Sequence, residues 1–144
     1  MGRRRRNRAL PREVFLSQSS RNRRFAGMLA GDLRRHGVPV WYSETNIVGA
    51  RQWHDEIGAA LERCDWFVVV LSPESAKSRW VKQELLFALN DARYKDRIVP
   101  VIHRRRYREL SWTLPSFQMI DFTQKYDTGC RDLLRVWGVG YQPR

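Results

Sequence analysis

The 144-residue chain holds only two cysteines, Cys64 and Cys130, far apart and without a Cys-x-x-Cys pair. Neither a disulfide framework nor a zinc site follows from that spacing. The three histidines, His36, His54 and His103, lie on different segments, so no metal ligand set is expected. Long apolar runs are also missing. The longest, Trp66 to Leu71, falls far short of the roughly 20 residues that cross a bilayer, and reads as a strand. The basic start, Gly2 to Arg8, runs into Ala9-Leu10-Pro11-Arg12 where a signal peptide needs an apolar stretch, and Arg6 stands where myristoylation needs Ser or Thr. No export signal, lipid anchor or membrane association is expected, and a reducing cytoplasmic setting fits. Three phosphate and hydrolase motifs are absent as well: Gly-x-Gly-x-x-Gly, Gly-x-x-x-x-Gly-Lys-Ser/Thr and Gly-x-Ser-x-Gly. Kinase, NTPase and serine hydrolase chemistry is thereby disfavoured.

Acidic residues are scarce beside basic ones, 15 against 27, giving a net charge of +12. Residues 1–12 carry six arginines and no acid, which marks a disordered Arg-rich arm ahead of one domain over 13–144. A second cluster is Arg104-Arg105-Arg106-Tyr107-Arg108. Such charge attracts phosphates at long range. No helix-turn-helix, zinc-finger or RNP-like pattern accompanies it, so binding of nucleic acid is expected to be weak and non-specific. A phosphate-bearing small molecule would benefit from the same field.

With 42% hydrophobic residues the chain can build a core. Val14-Phe15-Leu16 opens the pattern, followed by a polar turn, Ser17 to Asn22, and a helix over about Arg23 to His36. Phe25, Met28, Leu29 and Leu33 share one face of it, and Gly37 ends it. Val38 to Tyr42 is a short strand, Ser43 to Arg51 a loop, Gln52 to Arg63 a second helix, and Trp66 to Leu71 a strand covered on both faces. A loop over Ser72 to Arg79, a helix opening near Ser78, a strand over Arg97 to Ile102, an edge strand over Phe117 to Phe122 and a closing helix over Asp127 to Trp137 complete the series. Five alternations predict an α/β, flavodoxin-like fold: a five-stranded parallel sheet in order 2-1-3-4-5 with helices on both faces. Ligands of such sheets bind where the strand order reverses, here between strands one and three. That rule selects the loops Ser17–Asn22 and Ser72–Arg79.

Glu84 follows the second of these loops. At 100° per residue, Trp80, Glu84 and Phe87 share about 60° of arc beside the Val81/Leu85/Ala88 core stripe. Glu84 is expected at the rim of the sheet, half covered between aromatic walls, where a poorly hydrated carboxylate acts strongly on a nearby cation. Against this stands the plain alternative of a solvated helical glutamate chosen for propensity.

Four segments in order carry a resemblance. They are Val14-Phe15-Leu16-Ser17-Gln18-Ser19-Ser20, then Gly37-Val38-Pro39-Val40-Trp41, then Ile47-Val48-Gly49-Ala50-Arg51-Gln52-Trp53, then Val68 to Pro73 with Ser78-Arg79-Trp80-Val81-Lys82-Gln83-Glu84-Leu85. Together they resemble the boxes of the Toll/interleukin-1 receptor (TIR) domain family, in its bacterial branch, over residues 13–102. The resemblance implies cleavage of the nicotinamide–ribose bond of NAD+, with Glu84 as the catalytic carboxylate. It implies substrate contacts from Phe15, Ser17, Gln18, Ser19, Trp53 and Trp80, and a BB loop bearing Ile47, Val48, Gly49 and Arg51 that mediates assembly. NAD+ is then substrate, with no separate cofactor. The products are nicotinamide and ADP-ribose, or a cyclic ADP-ribose that signals to a separate effector in bacterial defence against phage. Three positions depart from the family: Asn22 and Tyr42-Ser43 replace usual aspartates, and Val48 stands where a proline is common before Gly49.

The family also contains non-enzymatic members that bind further TIR domains, so an adaptor remains the alternative to an NAD+-cleaving enzyme activated by self-association. A nucleic-acid-linked role through the arginine clusters is the third. With no sensor region evident in these residues, the trigger is expected to come from another component.

Overall fold

The computed structural model describes residues 10–43, 50–105 and 114–144, with the side chains of 50–53 excepted. Five strands, β1 (Val14–Ser17), β2 (Val40–Trp41), β3 (Trp66–Leu71), β4 (Ile98–Ile102) and β5 (Ile120–Asp121), form one sheet in the order β2-β1-β3-β4-β5. Every pairing is parallel. The crossovers carry α1 (Arg23–Arg35), α2 (Ala50–Arg63), the short α3 (Pro73–Ala76) and α4 (Arg79–Leu89), and α5 (Tyr126–Arg135) follows β5. Among the described residues no helix is long and apolar enough to cross a membrane.

Alternation along each strand divides the core into two layers. Val14, Leu16, Val68, Val70, Val99 and Val101 face α1, α5 and the turn beyond α5, through Leu29, Leu33, Leu133 and Trp137. Phe15, Phe67, Val69, Leu71, Ile98 and Ile102 face α2 and α4, through Ile57, Leu61, Val81 and Leu85. The helices therefore cover both faces, as the apolar periodicity predicts.

The ends of α1 and β4 show how individual residues set this frame. Gly37, at φ +85°, lets the Val38 N–H reach the Leu33 carbonyl and the Gly37 N–H reach that of Arg34, which stops α1 and turns the chain into β2. In β4, the His103 N–H bonds Leu71 of β3 while the Ile102 carbonyl accepts from Phe122 beyond β5. Even-numbered residues of β4 thus point toward β5, and Pro100, lacking a donor, can make no amide bond on that side. The β4–β5 ladder starts one residue later, at Val101 opposite Ile120, and β5 is only two residues long.

Two expectations need correction. The stretch Ser72–Arg79 is not simply a loop: Ser72 caps α3 through the Ser75 N–H, and Pro73 occupies the first helical position, where its missing donor does no harm. The arm does not reach Arg12 as a disordered tail either. Pro11 is buried and the Arg12 N–H donates to Asp65 at 2.9 Å, so the ordered domain begins before residue 13. Residues 1–9, most of the expected arm, lie outside the described residues, as do Arg106 to Arg108.

Candidate active site

At the carboxyl ends of β1, β2 and β3 opens a cavity of about 740 Å³, at the point where the strand order reverses. One wall is the β1–α1 connection with Gln18, Ser19, Arg21 and Arg23; another is the β3–α4 segment with Glu74, Lys77, Trp80 and Glu84; Trp41 and Ser43 close the β2 side. Phe15 forms the floor, fully buried and stacked on Trp41 at 5.0 Å and Phe67 at 5.5 Å.

Ser78 starts α4 by accepting from the Val81 N–H, which fixes the helix phase and turns Glu84 toward the sheet. The carboxylate is 8% exposed, not half covered as the helical wheel suggests. The wheel gives the angle of Glu84 around α4 but not what the end of β1 offers it. There Ser17 Oγ–H donates to Glu84 Oε1 at 2.6 Å. Burial drives the glutamate pKa up to about 7, and the Ser17 hydroxyl opposes that rise by bonding the charged form. The expected aromatic walls are only half present: Trp80 lines the cavity at 36% exposure, with the His54 ring edge-on at 6.4 Å, while Phe87 points elsewhere at 38% exposure.

Of the residues expected to contact substrate, Phe15, Gln18, Ser19 and Trp80 line the cavity. Gln18 Nε2 donates to the Ser43 carbonyl at 3.1 Å, and its Oε1 is buried with no hydrogen-bond partner among the described residues. Ser19 accepts from the Arg21 N–H and starts the turn into α1. Ser17 is fully buried, is not part of the cavity wall, and meets Glu84 instead. The side chains of Trp53 and Arg51, and all of Ile47, Val48 and Gly49, lie outside the described residues.

A polar cluster that sequence reasoning passed over ties the two walls together. Asn22, 2% exposed, accepts from Ser72 Oγ at 2.6 Å and donates to Glu74 at 3.3 Å. An amide can both donate and accept here, which an aspartate in its place could not do. Asn22 therefore closes the network that holds the β1–α1 turn against α3. The only available signal was its place in the first box beside a Ser-Pro loop.

Neither thiol competes for chemistry. Both are buried, and burial pushes Cys64 up to about 12 and Cys130 up to about 11, so each stays protonated and unreactive. No group of three metal-ligating side chains occurs among the described residues. The site is one desolvated carboxylate at the wall of an open cavity that Arg21, Arg23, Lys77 and Arg79 also line.

Comparison with known proteins agrees with this architecture. The sequence model of the TIR domain family matches residues 14–134. The chain is 28% identical over 102 residues to the NAD(+) hydrolase TcpC of Escherichia coli O6:H1, aligning 69% of this chain with 33% of the relative. It is 30% identical over 99 residues to the NAD(+) hydrolase PdTIR of Paracoccus denitrificans, aligning 67% with 33%. A probable 2′ cyclic ADP-D-ribose synthase, TcpO of Methanobrevibacter olleyae, is 23% identical over 92 residues, 63% of this chain and 27% of the relative. The chain thus spans about a third of the length of these curated relatives. Among solved structures, the TIR domain of the Toll-related receptor TRR-2 from Hydra magnipapillata superposes with a TM-score of 0.69 at 21% identity, covering 85% of this chain and 95% of that one. The TIR domains of the activated Roq1 resistosome give 0.66 at 19%, covering 86% and 98%. These two likenesses concern the fold.

Proposed function

The chain belongs to the TIR domain family, and on that premise we propose that it cleaves the nicotinamide–ribose bond of NAD+ with Glu84 as its catalytic carboxylate. The observation that carries the proposal is the burial of Glu84 at the switch-point cavity, with a pKa of about 7 and a single hydroxyl partner among the described residues. The hydrolase and cyclase relatives support it at modest identity.

The chemistry asks for one acid, not two. In ordinary glycoside hydrolysis a second carboxyl group protonates the leaving oxygen. Here the C1′–N1 bond breaks with its electron pair going to N1, which already carries the positive charge, so nicotinamide departs neutral. Positive charge moves onto the ribose, where an adjacent carboxylate in a dry site stabilises it. Approach of the cationic nicotinamide ring favours the ionised form of Glu84, since an opposite charge lowers a carboxyl pKa. Water then bonds C1′ and releases a proton, giving ADP-ribose; attack by the substrate's own adenine gives a cyclic product.

Assembly through the BB loop, a location in the cytoplasm, a product read by a separate effector and a role in antiphage defence are part of the same proposal. The experiment is incubation of the protein with NAD+ at high concentration with a crowding agent, beside Glu84→Ala, followed by chromatography and mass spectrometry. Nicotinamide release is expected from wild type and not from the variant, and the mass of the second product distinguishes hydrolase from cyclase. Silence from both, with assembly demonstrated, would hand the lead to the adaptor reading. The exposed Leu86 and Phe87 on α4 then become its natural contact surface.

A further inference from the structure

The cavity holds more positive charge than a diphosphate requires. Arg21 and Arg23 stand on the β1–α1 wall, Lys77 and Arg79 on the β3–α4 wall. None of the four makes an ion pair with a described carboxylate, whereas arginines elsewhere on the surface do: Arg63 with Glu13, Arg97 with Asp65, Arg105 with Asp121 and Arg144 with Asp32. The two acids in the cavity do not neutralise them. Glu74 is already engaged by Asn22 and by Arg104 at 3.6 Å, and Glu84 is raised by burial into the neutral range.

Two cations suffice to match the two charges of a dinucleotide diphosphate. The remaining two sit on a different wall, in a second group rather than as an extension of the first. From this arrangement we infer that the cavity selects a nicotinamide dinucleotide bearing a phosphomonoester in addition to its diphosphate, that is, NADP+ over NAD+. The inference rests on the proposed function and narrows its substrate class. One cation pair receives the bridging diphosphate and the other the terminal phosphate dianion. Phosphate oxygens accept charge-assisted hydrogen bonds from Arg and Lys. The +12 net charge raises the local concentration of both dinucleotides, and more so of the more anionic one.

Binding is measured on the Glu84→Gln variant by calorimetry, so that the outcome does not depend on turnover. At physiological salt, NADP+ is expected to bind at least about tenfold more tightly than NAD+. Adenosine 2′,5′-bisphosphate is expected to compete better than adenosine 5′-monophosphate. The double variants Arg21→Ala/Arg23→Ala and Lys77→Ala/Arg79→Ala are made in the same background. One of them is expected to remove most of the NADP+ advantage while leaving NAD+ affinity within about threefold, and the other to weaken both ligands. Folding of each is checked by circular dichroism; Arg21, Lys77 and Arg79 are exposed, Arg23 is partly buried, and none of the four belongs to the hydrophobic core.

Equal binding of the two dinucleotides overturns the inference. So does an equal loss of both ligands in both double variants, which would mean a general electrostatic field. Displacement of NADP+ by a single-stranded oligonucleotide at comparable concentration would also overturn it, by assigning the charge to nucleic acid. Cleavage of NAD+ by wild type together with equal binding sinks this inference alone. Selective NADP+ binding without cleavage of either dinucleotide would sink the enzymatic reading and leave the site standing.

Discussion

Replacing Glu84 by glutamine is expected to stabilise the protein at alkaline pH while removing its proposed activity. A carboxyl group with an ordinary value of 4.5 that sits at about 7 in the folded state binds its proton more tightly when folded. The sign follows from linkage: where the folded pKa lies above the unfolded one, folding is favoured below about pH 4.5, and stability falls as pH rises through the interval up to about 7. At 1.36 kcal/mol per pH unit, the full gap amounts to about 3 kcal/mol of destabilisation by pH 8. Glu84 is 8% exposed, so solvent screening removes little of this. Glutamine keeps an acceptor for Ser17 and has nearly the same volume, but carries no charge to desolvate. Urea unfolding of wild type and Glu84→Gln at pH 5 and pH 8 isolates the effect, because other titrating groups are common to both proteins. The variant is expected to be within about 1 kcal/mol of wild type at pH 5 and about 2–3 kcal/mol more stable at pH 8, or roughly 10 °C higher in melting temperature. A difference that does not change between pH 5 and pH 8, or a variant less stable at pH 8, would refute the claim that Glu84 is held against its preference for water.

Ser17→Ala removes the one hydroxyl that favours ionised Glu84, so the acidic limb of the activity profile is expected to move to higher pH, with activity partly regained by pH 9; an unchanged limb would show that the 2.6 Å bond does not tune the carboxyl group. Gly129→Ala drives a Cβ into the Phe122 ring, and is expected to destabilise the fold by about 1–3 kcal/mol in urea unfolding, with Phe122→Leu relieving much of the loss. Cys64 and Cys130 are expected to react with a thiol reagent only on unfolding, since both are buried with pKa values pushed to about 12 and about 11; a fast native-state reaction at pH 8 would contradict their placement.

The parallel sheet was legible because its signals are local or periodic. The run Trp66 to Leu71 is apolar without a break because β3 lies mid-sheet with a helical layer on each face, and Gly37 marks the end of α1 because the left-handed turn there suits glycine. Strand alternation then fixed the switch point, and with it the cavity corner. The burial of Glu84 was not legible. Periodicity places a residue on a helix by angle, whereas burial depends on what the neighbouring chain brings within reach. Here that is Ser17, 67 positions earlier, delivered by the register of β1 against β3 that sets Ser17 opposite Val69. Nothing in the sequence around either residue encodes the pair. The same limitation explains why Ser17 was expected at the substrate and Asn22 counted as a departure, although one contacts the carboxylate and the other holds both walls together.

Asn22 and Glu84 divide the work of the site between positioning and charge. Asn22, Ser72 and Ser75 form a buried network in which the Asn22 amide accepts from Ser72 Oγ and donates to the Glu74 carboxylate, so hydrogen bonds hold together the two segments flanking the cavity. Glu84 has a single described partner and a raised pKa in the same corner. Such a frame beside one buried carboxylate suits the proposed chemistry: held side chains solvate Glu84 less than water would, so positive charge developing on the substrate relieves the desolvated carboxylate most effectively. Loosening the frame with Asn22→Ala should therefore lower kcat more than it raises KM, because Glu84 gains water and loses its incentive to meet the ribosyl cation. If Asn22→Ala raised KM alone, the network would serve to bind substrate and not to keep the carboxylate dry.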